Sequence, residues 1–329
     1  MDILRFLSLL SVIAIHSFDT NRILHAVASK LEAWAVPEFI IISFFVTAHK
    51  LNKRKYIINR IKSLIFPYIC FSILYLIIRL LKKYTLENFF DWSIVSHSFS
   101  ILLFGGASGH LYYIPMYLLY LIIICFFTNH LVNFKLSKLK SISYITVISL
   151  ICSLFLSYAI NPLLKVSLSD PYLTSFIGYF SHYLPYPFIG IFIFYLYQSD
   201  VLNIGLVEKD LCKLSILSLI ILIYICQFEY AFITRVILSS LIFLLALSFN
   251  RSLYSYKFTN LFTSIASLSI GVYLLHPLLI ETNQLFLGKL LNIELDSFFI
   301  TFSVWLFSGV IASYSLVFFY QKVIYERKS

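Results

Sequence analysis

The chain has 329 residues, of which 60% are hydrophobic and only 12% are charged, and its mean hydropathy is +0.90. Soluble domains of this size carry more charge, so the composition predicts an all-α membrane protein that crosses the bilayer many times. The net charge of +10 is better explained by basic loops on one membrane face than by nucleic-acid binding, and no nucleic-acid partner is expected.

Apolar segments long enough to cross a bilayer follow one another along the whole chain. They define about ten transmembrane helices and leave no stretch for a separate soluble domain, so residues 1–329 are predicted to form a single transmembrane domain. The predicted spans are residues 3–20, 34–49, 64–82, 109–129, 142–160, 173–197, 212–228, 230–249, 262–284 and 297–320.

Lysine and arginine residues are distributed unevenly between the loops that connect these spans. With the N-terminus in the cytoplasm, the cytoplasmic loops and tail carry sixteen of them and the opposite loops carry seven. Because basic residues are enriched in cytoplasmic loops, this pattern predicts that both termini are cytoplasmic. The longest external loop, at about residues 83–108, is long enough to form a lid or a half-buried segment.

The first span contains two polar side chains, Arg5 and His16. Eleven helical steps of about 100° return to within about 20° of the same helix face, and the rise between the two residues is about 16 Å. Such groups in a membrane helix are costly and are usually functional. The alternative is that Arg5 reaches the cytoplasmic headgroups and His16 the outer ones. Asp2, three residues before Arg5, can pair with it.

Two further histidines are predicted in the outer half of the bilayer. His110 begins the fourth span and His276 lies in the ninth, so three histidines on three helices fall at a similar depth. Polar side chains in spans normally face the interior of a bundle, which points to a shared cavity. The alternatives are that His110 is an interfacial residue and that His276 satisfies the backbone at the Pro277 kink.

Arg235 lies in the middle of the eighth span and needs a carboxylate, a phosphate or a polar cavity. An internal ion pair with Glu229 is the structural alternative. The five cysteines are scattered, and no group of histidines, cysteines or carboxylates has the spacing of a metal site. No metal is therefore expected.

Five short motifs occur in a fixed order along the chain. They are Asp2-Ile3-Leu4-Arg5 running to His16, Val36-Pro37 through Ile42-Ser43, Asn59-Arg60-Ile61 to Phe66-Pro67-Tyr68, Gly109-His110-Leu111-Tyr112-Tyr113, and Ile270-Gly271-Val272-Tyr273-Leu274-Leu275-His276-Pro277. With these motifs the chain resembles the integral-membrane acyltransferase 3 family, the ten-helix O-acyltransferases of bacterial surface polysaccharides. It departs from the family pattern at Phe44, where glycine is usual, and at Tyr112, where tryptophan is common.

The resemblance implies transfer of an acyl group, usually acetyl, from a cytoplasmic acyl-CoA to a glycan hydroxyl on the outer side. Acetyl-CoA or another acyl-CoA is the expected donor co-substrate. The expected acceptor is a surface glycan such as O-antigen, capsule or exopolysaccharide, which can be lipid-linked, and the expected location is the bacterial cytoplasmic (inner) membrane. A polysaccharide or small-molecule exporter is the main alternative, because buried ionisable groups in interrupted helices also mark transport pathways. A glycan polymerase is a further one.

The resemblance and the predicted depths together assign roles to the polar residues. His16 is the expected general base, and Arg5, the second residue expected to be catalytic, is expected at the cytoplasmic mouth of the donor site. The polyanionic nucleotide of CoA suits a basic entrance, and the expected donor-binding residues are Lys53, Arg54, Arg60 and Arg235. The residues expected to orient the sugar or to stabilise the developing oxyanion are His110, Tyr113, Tyr273 and His276.

Overall fold

The structure, a computed structural model, describes most of the chain. The described residues are 1–18, 21–51, 53–87, 92–131, 138–199, 210–225, 232–249, 263–291 and 297–326. Within these ranges the chain is helical apart from turns and short connections, and it contains no β-strand. The prediction of an all-α fold is confirmed.

The α-helices range from 5 to 34 residues in length, and several continue without a break into wider turns. The α-helices are α1 (Asp2–Ser17), α2 (Arg22–Thr47), α3 (Arg54–Glu87), α4 (Trp92–Ser96), α5 (Ser98–Phe104), α6 (Tyr113–Leu131), α7 (Lys138–Phe155), α8 (Asn161–Ser167), α9 (Pro171–Tyr183), α10 (Pro185–Gln198), α11 (Asp210–Ile225), α12 (Phe232–Ser248), α13 (Ser269–Leu285), α14 (Phe298–Ser303) and α15 (Ser313–Glu326). The wider π-helical segments are Leu156–Ile160, Phe286–Leu290 and Val304–Ala312.

Several helices are long and apolar enough to cross a membrane, which needs about 20 residues for a hydrocarbon core of about 30 Å. Among the described residues four meet this requirement: Arg22–Lys50, Arg54–Thr85, Leu139–Ser167 and Phe298–Phe319. Shorter apolar helices cover Tyr113–Phe127, Cys212–Tyr224 and Phe232–Ser248. These helices agree with a membrane protein, whereas the count of ten spans and the cytoplasmic position of both termini stay predictions.

The chain divides into two compact units, and the first combines Met1–Ile42 with Leu202–Ser329. In this unit α1 packs against α13 and against the π-helical segment Val304–Ala312. Ile13 and Val272 are fully buried in the apolar cluster where these elements meet. Contacts on two sides therefore fix the position of α1 and of the polar side chains that it carries.

The second unit is the continuous stretch Ser43–Val201. Here α7 packs against α10, and polar side chains join neighbouring helices. The Tyr120 hydroxyl donates to the Phe180 carbonyl at 2.7 Å, and the Asn161 amide donates to the Ser181 hydroxyl at 2.7 Å. Hydrogen bonds of this kind hold helices together where lipid removes the hydrophobic driving force between them.

Two helices begin well before the spans predicted from hydropathy. α2 begins at Arg22 rather than at residue 34, and α3 begins at Arg54 rather than at residue 64. Pro37 and Pro67 lie inside these helices, although proline more often marks a helix start. Membrane helices tolerate internal prolines because neighbouring groups satisfy the freed carbonyl. Each helix therefore extends beyond the span predicted from hydropathy, and the limits of the spans within the membrane stay predictions.

Other boundaries also differ from the prediction. α6 begins at Tyr113 rather than at residue 109, and the span predicted at 173–197 is divided into α9 and α10. The external loop predicted at 83–108 contains the short helices α4 and α5, while residues 88–91 lie outside the described residues. α11 and α12 correspond to the predicted spans 212–228 and 230–249, and their junction also lies outside the described residues.

Candidate active site

The first compact unit brings His16 and His276 together. The centroids of the two imidazole rings are 5.4 Å apart, and the ring planes are inclined by 49°. His16 is half-buried in the last turn of α1, and His276 is fully buried in α13. Two histidines that are 260 positions apart in the sequence therefore meet, which bears out part of the expectation that these side chains share one environment.

A hydrogen bond to the backbone fixes the position of one proton in this pair. His276 Nδ1 lies 3.1 Å from the carbonyl oxygen of Val272. A carbonyl oxygen can only accept, so Nδ1 donates, and in the neutral ring the lone pair is on Nε2. The His276 imidazole thus donates a hydrogen bond to the backbone of its own helix, and its ring also lies beside His16. Tyr273 packs on the same ring, with centroids 6.1 Å apart.

Close packing next to the histidine pair restricts α1. Gly309 lies in the π-helical segment Val304–Ala312, where a β-carbon would overlap Ile13 and would lie 3.5 Å from both Ile280 and the Ser17 hydroxyl. The absence of a side chain at Gly309 therefore leaves the space that the Ile13 side chain occupies. Since Ser17 adjoins His16, this contact restricts the end of α1 that carries the imidazole.

Arg5 is near the opposite end of α1 and is paired with Asp2. Its Nη1 donates to Asp2 Oδ1 at 3.2 Å, and the two side chains are 24% and 35% exposed. Asp2 Oδ2 also accepts from the Thr263 hydroxyl at 3.1 Å. The predicted Asp2–Arg5 pair is confirmed. Because α1 is continuous from Asp2 to Ser17, the rise from Arg5 to His16 is about 16 Å.

Arg235 lies in α12, and its side chain is half-buried. Its carbonyl accepts from the Ser239 hydroxyl at 2.9 Å. Glu229, the partner suggested by the sequence, lies outside the described residues. The assignment of Arg235 to the donor site therefore stays a prediction.

In the second unit His110 is buried in the turn before α6. Its exposure is 3%, its Nδ1 lies 3.1 Å from the Ser108 hydroxyl, and the Tyr75 ring meets it edge-on with centroids 5.3 Å apart. The turn depends on Gly105, whose φ of 77° is left-handed and whose missing β-carbon leaves space for the backbone of Tyr112. His110 is thus enclosed by protein, unlike the interfacial residue of the alternative interpretation.

Arg60 and Tyr113 belong to one aromatic cluster. The Arg60 guanidinium lies 5.8 Å from the centroid of the Tyr117 ring, and the Tyr113 and Tyr117 rings are stacked with centroids 6.0 Å apart. Phe44, which stands where glycine is usual in the family, is fully buried, and the centroids of its ring and the Tyr117 ring are 5.2 Å apart. A guanidinium over an aromatic face is stabilised by the ring quadrupole.

The basic entrance predicted around residues 53–62 is part of a helix rather than a loop. Arg54 begins α3, and Lys53 directly precedes it; both side chains are exposed. Arg60 is two turns further along and is half-buried. The segment predicted as a basic cytoplasmic loop is therefore helical from Arg54 onward, and the helix fixes the angle between the side chains of Arg54 and Arg60.

Two notable residues are absent from the sequence-based assignment. Tyr117 bridges Arg60 and Tyr113, and its spacing of four residues from Tyr113 on a helix is the signal that indicates it. Glu38 is fully buried in α2, and neither carboxyl oxygen has a hydrogen-bond partner among the described residues. The sequence feature that indicates Glu38 is a carboxylate inside an apolar helix.

Comparison with known proteins defines the class to which this fold and these residues belong. A sequence model of one protein family, described as an acyltransferase domain, matches residues 1–321, a range that includes all the candidate site residues. No curated protein and no solved structure matches the chain. The chain is a helical membrane acyltransferase. It belongs to the acyltransferase 3 family, as its motifs indicate.

Proposed function

We propose that this enzyme moves an acyl group, in the simplest case acetyl, from a cytoplasmic acyl-CoA to a hydroxyl of a surface glycan. O-antigen, capsule and exopolysaccharide are the acceptor classes that we propose, as free or lipid-linked chains, with the enzyme in the bacterial inner membrane. The observation that carries the proposal is the pair of imidazoles formed by His16 and His276 in a membrane acyltransferase. Histidine is the side chain whose charge changes most readily near neutral pH.

In the proposed reaction a ring nitrogen of His16 removes the proton of the acceptor hydroxyl. The hydroxyl oxygen attacks the thioester carbonyl carbon, a new C–O bond forms, and the C–S bond of the donor breaks. The imidazolium then returns its proton to the departing thiolate, so that an ester and free CoA are the products. General-base catalysis of this kind typically contributes about 10²–10⁴-fold to the rate.

His276 and Tyr273 have complementary capacities beside this base. With Nδ1 donating to Val272, neutral His276 can accept a hydrogen bond at Nε2, which suits the orientation of a sugar hydroxyl. The Tyr273 hydroxyl can donate, which suits the developing oxyanion. We assign the sugar-orienting role to His276 on this basis, and the oxyanion role to Tyr273.

The cationic residues suit the donor, because the nucleotide part of CoA carries several negative charges. Exposed Lys53 and Arg54 and half-buried Arg60 offer ammonium and guanidinium groups, and guanidinium groups bind phosphate in a bidentate manner. We propose these residues for donor binding, with Arg5 and Arg235 as further cations. His110 and Tyr113 are proposed to orient the acceptor.

The test compares surface glycan from cells that make the wild-type chain, His16→Ala or His25→Ala. His25 is an exposed histidine of the same compact unit and serves as the matched control. Base-labile O-acyl groups detected by NMR and mass spectrometry are expected with wild type and His25→Ala and not with His16→Ala. Equal acylation in all three would refute the role of His16, and glycan that is missing or shortened would indicate export or polymerisation instead.

A further inference from the structure

The segment that carries His110 lies against one face of α3 in the second compact unit. Tyr68, Tyr75 and Arg79 follow one another at spacings of seven and four residues, so they form a stripe along this face. The stripe extends about 16 Å along the helix axis. Each of its three side chains contacts a different residue in the stretch from the end of α5 to His110.

Tyr68 holds the end of α5. Its side chain is 6% exposed, and its hydroxyl donates to the Leu102 carbonyl at 2.6 Å. Leu102 lies in the last turn of α5, and the final carbonyls of a helix have no amide partner within it. The hydroxyl therefore satisfies a carbonyl that the helix leaves open. Tyr68 ends the motif Phe66-Pro67-Tyr68, and the proposed reaction gives this tyrosine no role.

Arg79 holds the backbone just beyond the end of α5. Its Nη1 donates to the Gly106 carbonyl at 3.4 Å. On the other side of Gly106, a β-carbon would overlap the ring of Tyr172, which belongs to α9. Two consecutive glycines make a backbone pliable, so α5 alone does not fix the direction of the residues that follow Gly105. The contacts with α3 and α9 supply that restriction.

The third member of the stripe reaches His110 itself. Tyr75 lies between Tyr68 and Arg79 along α3, and its ring meets the imidazole edge-on with centroids 5.3 Å apart. His110 is only four residues beyond Gly106, and the Ser108 hydroxyl lies 3.1 Å from its Nδ1. The direction of the imidazole is thus set by the position of a short turn that the α3 stripe holds.

We propose that Tyr68 and Arg79 are positioning residues that act on the acceptor glycan through His110. Their hydrogen bonds to the Leu102 and Gly106 carbonyls hold the turn, and the turn holds the imidazole at the angle at which it orients the sugar. The inference rests on the proposed function, in which His110 orients the acceptor. A group displaced by about 1 Å can cost a large factor in rate, so a single backbone contact remote from the acceptor suffices for the effect.

The two substrates separate a positioning role from a structural one. Membranes with matched protein content would be given radiolabelled acetyl-CoA and glycan purified from cells that make His16→Ala. Tyr68→Phe removes one hydroxyl and should raise the KM for glycan about 2- to 10-fold, the range for loss of one hydrogen bond, while the KM for acetyl-CoA stays unchanged. Arg79→Met should act in the same direction, and Arg79→Lys, which keeps a donor, should restore most of the loss.

Tyr120→Phe is the matched control. The Tyr120 hydroxyl donates to the Phe180 carbonyl at 2.7 Å, so this variant loses the same kind of bond in the same compact unit without touching the turn. It should lower the thermal midpoint about as much as Tyr68→Phe does and leave the KM for glycan unchanged. Equal rises in this KM for the two variants would show a general loss of packing and would overturn the proposal.

A double-mutant cycle tests whether the effect passes through His110. His110→Ala should raise the KM for glycan, and Tyr68→Phe added to it should raise this KM no further, because the side chain that Tyr68 positions is gone. A full additional rise in the double variant would overturn the proposal. So would an unchanged KM in Tyr68→Phe when His110→Ala alone has an effect.

The imidazole itself gives a readout that does not depend on transfer. In protein labelled with ¹⁵N-histidine, the ring signals of His110 are those that His110→Ala removes. They should shift in Tyr68→Phe and Arg79→Met and keep their positions in Tyr120→Phe. If wild-type membranes transferred no acyl group, the proposed function would be wrong, whereas unmoved His110 signals in Tyr68→Phe and Arg79→Met would overturn the positioning role itself.

Discussion

The two polar clusters of this enzyme differ in the kind of charge that they hold. The cluster of the first unit contains two imidazoles, His16 and His276, which can take up and release protons. The cluster of the second unit contains Arg60 against Tyr117 and Tyr113, and its guanidinium is permanently charged. The first suits proton transfer and the second suits anion binding, so substitutions in the two clusters should affect different kinetic constants.

The largest expected effect belongs to His16. In membranes with matched protein content, His16→Ala should lower kcat for release of CoA by about 10²–10⁴-fold, because the general base is lost. The KM for acyl-CoA should change little. A kcat close to that of wild type would show that His16 is not the general base. The two clusters would then not differ in the way proposed.

The next largest effect on kcat is expected at His276, and its size should depend on which ring nitrogen the substituted side chain replaces. His276→Asn can still donate to the Val272 carbonyl but has no group at the position of Nε2, so kcat should fall about 10- to 100-fold, the range expected when a buried hydrogen-bond partner is removed. His276→Gln keeps a polar atom near Nε2 and should be less impaired. The reverse order of the two rates would show that the backbone bond, rather than Nε2, is the important contact.

Arg60→Gln tests the cluster of the second unit. Loss of the guanidinium should raise the KM for acyl-CoA at least about tenfold with little change in kcat, since a hydrogen bond to a charged group contributes about 1.5–3 kcal/mol. Steady-state rates over a range of acyl-CoA concentrations measure both constants. Lys165→Gln, which removes an exposed lysine at the end of α8, is the matched control. A fall in kcat at constant KM would place Arg60 with the catalytic residues.

Glu38 is a buried polar residue outside both clusters, and its substitution tests whether such a residue also contributes to activity. Glu38→Leu should raise the free energy of unfolding by about 1–3 kcal/mol, because it replaces a buried carboxyl that lacks hydrogen-bond partners among the described residues. The thermal midpoint in detergent measures the change, and glycan acylation is measured alongside it. Higher stability with full acylation would show that Glu38 only destabilises the fold. Higher stability with lost acylation would show that Glu38 is needed for the reaction.

The smallest effect is expected at Asp170, outside both clusters. Its carboxylate accepts from the backbone N–H groups of Tyr172 and Leu173 at 2.9 and 3.1 Å. Burial alone would raise the pKa of this carboxyl, but hydrogen bonds from Ser100 and from these N–H groups outweigh it and hold the pKa below its usual value. Such a cap contributes about 1 kcal/mol.

The direction of the pH dependence follows from that lowered pKa. The stabilisation is complete above the unfolded pKa of about 3.9 and is lost as the pH falls through the lower folded value. Asp170→Asn keeps a capping oxygen and cannot titrate, so its thermal midpoint should fall less than that of wild type between about pH 5 and pH 3. Identical profiles for the two proteins would show that Asp170 does not contribute to acid sensitivity.

Sequence patterns predict the parts of this molecule that depend on local spacing. The Asp2–Arg5 pair follows from a separation of three residues on a helix, and the all-α fold follows from composition. Hydropathy cannot show that α3 begins at Arg54, because basic side chains conceal the first turns of the helix. It also conceals the break before Pro185, where both flanking segments are apolar.

The geometry of the candidate site depends on contacts that are remote in the sequence. The ring of His276 lies against that of His16, which is 260 positions away, so no local spacing indicates this contact. The stack of Tyr117 on Arg60 needs α3 and α6 to lie side by side. The contact of Gly309 with Ile13 likewise joins two segments that are far apart in the sequence.

The separation of 260 positions between His16 and His276 has a consequence for biosynthesis. A ribosome that adds about 5–20 residues per second needs roughly 13–52 s to proceed from one histidine to the other. On the topology predicted from the sequence, α1 enters the membrane with Arg5 and His16 during that interval, before α13 exists to pack against it. On that topology the newly made first helix depends on its early neighbours, or on the insertion machinery, to shelter two polar side chains until the last fifth of the chain is made.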